Sequence, residues 1–408
     1  MSHVRAGGAA RDAIVSRAMK TLPAIQALND EMVAWRRDFH AHPETGFEEV
    51  RTSGLVAERL ASWGIEVHRG LGRTGVVGVL RGKQPGGSIG IRADMDALPM
   101  EEEGDVPHRS KTKGKFHGCG HDGHTTMLLG AAKHLAATRD FKGTVHFIFQ
   151  PAEEGLAGGK AMVEDGLFER FPCDEVYGLH NWPELPFGQA AARSGPIMAA
   201  SDFLDIVIEG VGAHAAMPHR GVDPVLVGAH VITALQALVS RETNPLDSAV
   251  VSITRVEAGS AYNVIPKTAV LRGTCRTLRP ETRDAMEAGI ARVATGVAAA
   301  FGATAKVDYR RNYPPTINWA AQTDTIAAAA AAVVGSDNVV RDCAPSMGGE
   351  DFAFMLEKRP GSYLWLGAGG GPTACNVHHP RYDFNDALLP VGATLWVELV
   401  QRVLGRAG

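Results

Sequence analysis

The chain has 408 residues, 45% of them hydrophobic and 21% charged, the balance of a soluble globular protein with room for two domains. A formal net charge of −4 gives no basis for nucleic acid or an anionic membrane surface as a partner. Five cysteines (Cys119, Cys173, Cys275, Cys343 and Cys375) are scattered and odd in number, which does not look like a disulfide framework and points to a reducing compartment, the cytoplasm.

Ser2 to Arg11 reads as a frayed arm, and the first twenty residues lack the apolar core of a secretion signal. No run of about eighteen apolar residues is evident, so no membrane span is expected. Helices are expected over Glu31–Ala41 and Phe47–Trp63, the second ended near Gly64. The turn between them, His40-Ala41-His42-Pro43-Glu44, is expected to leave its histidines in solvent. Thr74–Arg81 and Ser88–Ala93 are β-rich runs, and the second breaks into Asp94-Met95-Asp96.

His117-Gly118-Cys119-Gly120-His121-Asp122-Gly123-His124 follows, with three histidines, a cysteine and an aspartate inside eight residues. The apolar spacing of Met127, Leu128, Ala131 and Leu135 predicts a helix from about Gly123 to Thr138. In an extended conformation Cys119 and His121 point to one side. Soft and borderline ligands on a glycine-loosened strand-to-helix turn suggest a transition-metal site. A strand over Thr144–Gln150 ends in Pro151-Ala152-Glu153-Glu154-Gly155, and one over Glu175–Leu179 ends in His180-Asn181-Trp182-Pro183. Alternating strands and helices imply an α/β domain with a mostly parallel sheet. Its polar clusters fall at the C-terminal ends of strands, where such sheets place ligands.

Near Ala199 the pattern changes. A strand (Ser201–Gly210), a helix (Val222–Arg241), two strands (Ser248–Glu257 and Thr268–Thr277), a helix (Glu281–Ala300) and a strand (Ala303–Tyr309) follow one another. That order, βαββαβ, is the split βαβ or ferredoxin-like α+β sandwich. Residues 199–312 are therefore expected to form an inserted domain. Residues 1–198 and 313–408 would form one discontinuous catalytic domain, with Tyr313-Pro314-Pro315 as linker. After it come a helix over Thr323–Val334, a glycine turn at Met347–Phe352 and a strand over Tyr363–Leu366. A ligand-rich loop, Val377–Asn385, precedes a last helix over Leu389–Val403.

The candidates at strand ends are Cys119, His121, Glu153, Glu154, His180 and one of His378 and His379. One metal needs three or four ligands, and this set exceeds that. A bridging thiolate would serve two divalent ions, and a pair about 3.5–4 Å apart suits hydrolysis. Side chains adjacent in sequence diverge, so one of Glu153 and Glu154 is free to act as general base.

Gly118–His124, Gln150–Gly155, Leu179–Pro183, Gly212–His219, Asn263–Pro266, Gly273–Thr277 and Gly349–Phe352 together resemble the aminoacylase–carboxypeptidase family of two-metal amidohydrolases. Within it they are similar to the hippurate hydrolase and indoleacetyl-amino-acid hydrolase branch. The resemblance runs in order from about Trp35 to the C-terminus. It implies metal ligation by Cys119, His121, Glu154, His180 and His378, with His379 at the variable position of its motif and Glu153 as base. It implies that Asp94 and Asp96 support the site, as His117, Asp122 and His124 are also expected to do. By the same resemblance His214 crosses a dimer interface to stabilise an oxyanion, and Asn263 and Arg276 hold a substrate carboxylate. Arginine suits that last task because its fork grips a carboxylate with two hydrogen bonds.

The expected activity is metal-dependent hydrolysis of N-acyl-L-amino acids of the hippurate type, by a homodimer with two divalent ions per subunit. Zinc is the default, and manganese, cobalt or nickel could support activity. Three other readings compete. One is a metallo-dipeptidase or carboxypeptidase with the same site. Another is a thiol amidase using Cys119 with His121 and Asp122, which leaves Glu154 and His180 unexplained. The third is a catalytically silent metal-binding protein, against which Glu153 argues.

Overall fold

A computed structural model describes residues 19–369 and 375–407. The expected N-terminal arm, Ser2–Arg11, lies outside the described residues. The chain divides into two compact units. One comprises the residues up to Gly195 together with Ile317–Ala344 and Asp351 onward, and the other comprises Pro196–Thr316 and Pro345–Glu350.

The first unit opens with helices α1 (Asn29–Ala41) and α2 (Val50–Ser62). The second begins three residues later than its apolar pattern predicts, because Phe47 is left-handed, with φ of 64°. Glu44 instead closes the free end of α2, accepting hydrogen bonds from the Arg51 and Thr52 amides at 2.9 and 2.8 Å. Strands β1 (Glu66–Leu71), β2 (Gly75–Arg81) and β3 (Gln84–Asp94) follow, then α3 (His121–Thr138), β4 (Lys142–Gln150) and β5 (Glu175–Pro186).

The second unit contains β6 (Ala200–Glu209), α4 (Pro224–Ala237), β7 (Ala249–Ala258), β8 (Thr268–Thr277), α5 (Pro280–Ala300) and β9 (Thr304–Tyr313). Its sheet order is β7-β8-β6-β9, the split βαβ arrangement. Leu204, Ile206 and Ile208 alternate inward along β6 and meet Val227, Val231 and Leu235 of α4 and Met286 and Ile290 of α5. Asp223 caps α4 by accepting from the Val225 amide at 2.9 Å, and Pro224 takes the first helical position. The turn Pro345–Glu350 belongs to this unit too, since the Ala199 amide donates to the Gly348 carbonyl at 2.9 Å.

One helix among the described residues is long and apolar enough on average to cross a membrane, although His230, Thr233 and Gln236 interrupt it, so it is no unbroken apolar run. It is α4 with its continuation, Pro224–Glu242. One face, through Val227, Val231, Leu235 and Leu238, is buried in the core of this unit, so the helix has a use there without a bilayer.

Back in the first unit lie α6 (Ala320–Val334), β10 (Gly361–Gly369) and α7 (Leu388–Leu404). The sheet order is β1-β2-β4-β3-β5-β10, completed by the short strands Ala190–Ala191 and Val339–Val340. From β4 through β10 every pairing is parallel, while β1 and β2 form an antiparallel edge. The core lies under α3 and α7, whose apolar residues are buried nearly all round. Gly130 and Gly392 make this packing possible, because a Cβ at either would strike a methionine, Met32 or Met127.

Candidate metal centre

Three parallel strands bring the polar clusters to one edge of the first unit. β3 ends at Asp94, β4 at Gln150, and β5 carries His180. Cys119 and His121 are not two residues of an extended strand. Cys119 precedes α3 and His121 is its first residue, with Gly120 between them at φ of 93°. That left-handed glycine turns both ligands inward, and Asn181 packs against it where any Cβ would sit. Glu153 and Glu154 lie in an equally sharp turn, between Ala152 at φ of 54° and Gly155 at φ of 81°.

Asp96 holds this turn in place. Its carboxylate accepts from the amides of Glu153 and Glu154, each at 3.0 Å. Its backbone carbonyl lies 2.9 Å from His121 Nδ1, which leaves Nε2 as that ring's free face. Asp94 is buried between Arg92 Nη1, at 2.8 Å, and His124 Nδ1, at 2.6 Å. Arg92 reaches on to Asp351 at 3.0 Å, and Asp351 accepts from the Gly159 amide at 2.7 Å. The Asp351 amide faces Glu153 Oε1 at 3.4 Å.

The candidate ligands converge. Cys119, His121 and His180 place their ligand atoms within 4.8 Å of one another, and so do Cys119, Glu154 and His378. Cys119 Sγ lies 3.3 Å from His180 Nε2, and Glu154 Oε1 lies 3.3 Å from His378 Nε2. The sulfur is common to both triads, the position a thiolate bridging two cations would occupy. His378, itself left-handed at φ of 65°, is fixed by its amide to the Gly118 carbonyl at 2.7 Å. His379 turns to its own loop, accepting from the Arg381 amide at 3.1 Å.

His121 Nε2 and Glu154 Oε1 are buried without a hydrogen-bond partner. Two orphaned ligand atoms of complementary type, beside a buried thiol, fit a divalent cation. Burial alone would push the His121 imidazole down, but Asp94, Asp96 and Glu154 raise it to about 10. Burial and the neighbouring carboxylates Glu154, Glu153 and Asp94 push the Cys119 thiol well up. Without metal the site therefore holds protons where cations would sit.

Several contributors escaped sequence reading. His40 is fully buried and not a solvated turn histidine. Its Nδ1 lies 2.8 Å from Asp122 and its Nε2 3.4 Å from Glu102, and these carboxylates outweigh burial to raise it to about 9. Asp122 thus tethers the start of α3 to α1, and His124 supports Asp94. His117 is buried with neither ring nitrogen hydrogen-bonded. Glu49, also buried, accepts from the Ala152 amide at 2.8 Å and from Thr74 at 2.5 Å, fastening the turn before Glu153. Burial pushes its carboxyl up to about 7. The one sequence signal for such groups was Arg92, a charge inside an apolar strand run, where only a paired ion is tolerated.

His214, Asn263 and Arg276 lie in the second unit. Ala213–His214 pairs with Val264–Ile265, which sets His214 across from Val264 and puts Asn263 beside it, both exposed. Arg276 is half-buried on β8 and makes no ion pair among the described residues, a guanidinium available to an anion.

The model of Peptidase family M20/M25/M40 matches residues 90–402. A hippurate hydrolase of Campylobacter jejuni is 40% identical over 389 residues, covering 95% of this chain and 100% of that protein. An N-acetylcysteine deacetylase of Bacillus subtilis is 40% identical over 383 residues, 93% of this chain and 99% of that one. Among solved structures, the YXEP protein of Bacillus subtilis, described as a dinuclear metal-binding peptidase of the M20 family, superposes with a TM-score of 0.81 at 37% identity. That match covers 93% of this chain and 99% of the other.

Proposed function

This chain belongs to peptidase family M20/M25/M40 and is a metal-dependent amidohydrolase, and from that premise we propose that it cuts N-acyl-L-amino acids of the hippurate type to a carboxylic acid and a free amino acid. The observation that carries this reading is the convergence of Cys119, His121, Glu154, His180 and His378 beside a Glu153 held apart from Glu154 by the turn. The five residues would hold two divalent ions. Zinc suits this mixture of thiolate, imidazole and carboxylate, and manganese, cobalt or nickel are the other ions to be tested. When bound, such a pair supplies Lewis acidity and lowers the pKa of water.

The chain's own groups do the rest. Glu153 takes the proton of the attacking water and returns it to the departing amide nitrogen. Asp96 keeps the turn from relaxing, and so keeps Glu153 and Glu154 aimed apart. His214 donates to the oxyanion, a term of the kind worth ~3–4 kcal/mol. Arg276 and Asn263 hold the substrate α-carboxylate. We place the working enzyme in the cytoplasm as a homodimer in which His214 serves the partner's site.

The test is a hydrolysis panel on chelator-stripped protein with each metal added back. Hippurate and other N-acyl-L-amino acids are expected to be cut, and their amidated counterparts much more slowly. A charged hydrogen bond of the Arg276 type contributes roughly 1.5–3 kcal/mol, so Arg276→Ala should lower kcat/KM by more than about tenfold with metal content unchanged. Turnover that ignores chelators would revive the Cys119 thiol amidase, and equal rates on amidated substrates would remove the carboxylate clamp.

A further inference from the structure

Two tryptophans stand beside the metal centre with no part in the proposed chemistry. β5 and β10 run parallel, and register sets Trp365 of β10 across from His180 of β5, so the two share a face. Trp182, two residues beyond His180 on the same strand, shares it as well. Gly367 lies across from Trp182 and has no side chain to fill the place beside it. The Trp182 indole leans back over Trp365, with ring centres 4.0 Å apart and planes 12° from parallel. On the other flank β3 pairs with β5 only as far as Gly178. Past that point the candidate ligands take the place of a strand, with Cys119 Sγ 3.3 Å from His180 Nε2. Trp182 meets the His180 ring edge-on, 6.1 Å between centres and at 79°. The indole is thus one ring away from the candidate metal position.

The two rings differ in burial. Trp365 is 3% exposed, and its Nε1 is buried with no hydrogen-bond partner. That orphaned donor is a cost a leucine would avoid, and what the indole provides instead is a flat platform. Trp182 keeps part of its surface in solvent. Since Trp365 covers one face of it, the open part is the opposite face and the rim.

We propose that Trp182, backed by Trp365, selects the acyl group of the substrate by stacking its open face on an aromatic acyl ring. This rests on the amidohydrolase reading and names the acyl class and its selecting residue within it. A benzoyl ring is bonded directly to the carbonyl carbon that is attacked, so it must lie close to the metal ligands, as Trp182 does. Offset stacking and burial of a flat ring favour the aromatic group, and an acetyl methyl is too small to cover an indole.

The test compares hippurate with N-acetylglycine on the metal-loaded full chain. The parent is expected to favour hippurate in kcat/KM, and Trp182→Ala to lower that preference at least about tenfold with metal content unchanged. Parent and variant meet the same two substrates, so the intrinsic reactivity of the amides cancels. Trp182→Phe, which keeps an aromatic face, should retain most of the preference. Equilibrium dialysis of labelled benzoate, the acid released, gives a readout independent of turnover. Benzoate affinity should fall at least about tenfold in Trp182→Ala, and acetate should bind the parent at least about tenfold more weakly than benzoate. Should Trp182→Ala fail to fold, Trp182→Leu, which keeps bulk without a π face, carries the same comparisons. An unchanged preference in the variant, N-acetylglycine cut as well as hippurate by the parent, or no saturable benzoate binding at millimolar concentration would overturn the proposal. Each of these leaves N-acyl-amino-acid hydrolysis standing. A parent that cuts neither substrate with any added metal would instead remove that reading, and the role of Trp182 with it.

Discussion

Glu153 and Glu154 are chemically identical neighbours, and only the backbone between them gives them different work. Glu154 has ψ of 78° where a helix would have a negative value, which separates the two carboxylates. Glu153→Gln is expected to retain metal while kcat falls by at least ~100-fold, the scale of a lost general base. Metal analysis and turnover on one preparation check it, and normal turnover would reject the assignment. Cys119 and His121 lead to a second expectation. With the thiol pushed up and His121 raised to about 10, both hold protons near pH 7 in the metal-free chain. Metal uptake should then release about two protons per chain, visible by calorimetry in buffers of different ionisation enthalpy. Cys119→Ser should release fewer, bind metal more weakly and regain part of its activity when metal is added. A serine variant dead at every metal concentration would instead favour a nucleophilic thiol. These ligands were legible because their residue types crowd a short stretch. The pairing of Arg92 with Asp351 was not, because the two are 259 residues apart in sequence and only the fold makes them partners.

At the scale of elements, the site depends on how α3 begins. His40 on α1 holds Asp122 at the first turn of α3, next to His121. Removing it takes one partner from each of two buried carboxylates, leaving Asp122 with the Gly123 amide and Arg36 and Glu102 with the Ser110 amide, and a loss of ~3–5 kcal/mol is expected for His40→Ala. The pH dependence has a definite sign. His40 is raised from 6.5 to about 9 in the folded chain. Its contribution is therefore complete below about 6.5 and disappears as the pH rises through about 9. Thermal unfolding of the parent should weaken across that window, and His40→Ala should show less of that decline; an equal slope in both would place the interaction elsewhere. Elements with apolar periodicity were legible from sequence, among them α3, β4 and the six segments of the second unit. β1 was not, since Glu66, Val67, His68 and Arg69 form a largely exposed edge with no apolar alternation to mark it. The start of α2 was misplaced for another reason: Phe47 fits the apolar stripe, but its left-handed backbone does not continue a helix.

On the scale of the whole molecule, the proposed reaction draws on both units, with the metal ligands and Glu153 in the first and His214 in the second. His214 sits on a strand of only two residues, paired with Val264–Ile265, and its surroundings are open. Tyr262, Val264, Val211 and Met217 near it in sequence and pairing are all exposed apolar side chains, the composition of a surface that another chain would cover. If a second copy covers it, His214 acts in the partner's site, and the symmetry of a two-fold dimer makes the arrangement reciprocal. Complementation distinguishes this from action within one chain. His214→Ala and Glu153→Gln should each be nearly inactive alone. Co-expressed with random pairing, half the dimers are mixed, and each mixed dimer has one site with intact Glu153 and the other chain's intact His214. About a quarter of all sites should then be whole, and activity should recover to about that fraction of the parent. If His214 serves its own chain, no mixed dimer contains a whole site, and activity stays at the level of the single variants. A fully active monomer at assay concentration would exclude the shared site by itself, because no second chain would be present to lend the histidine.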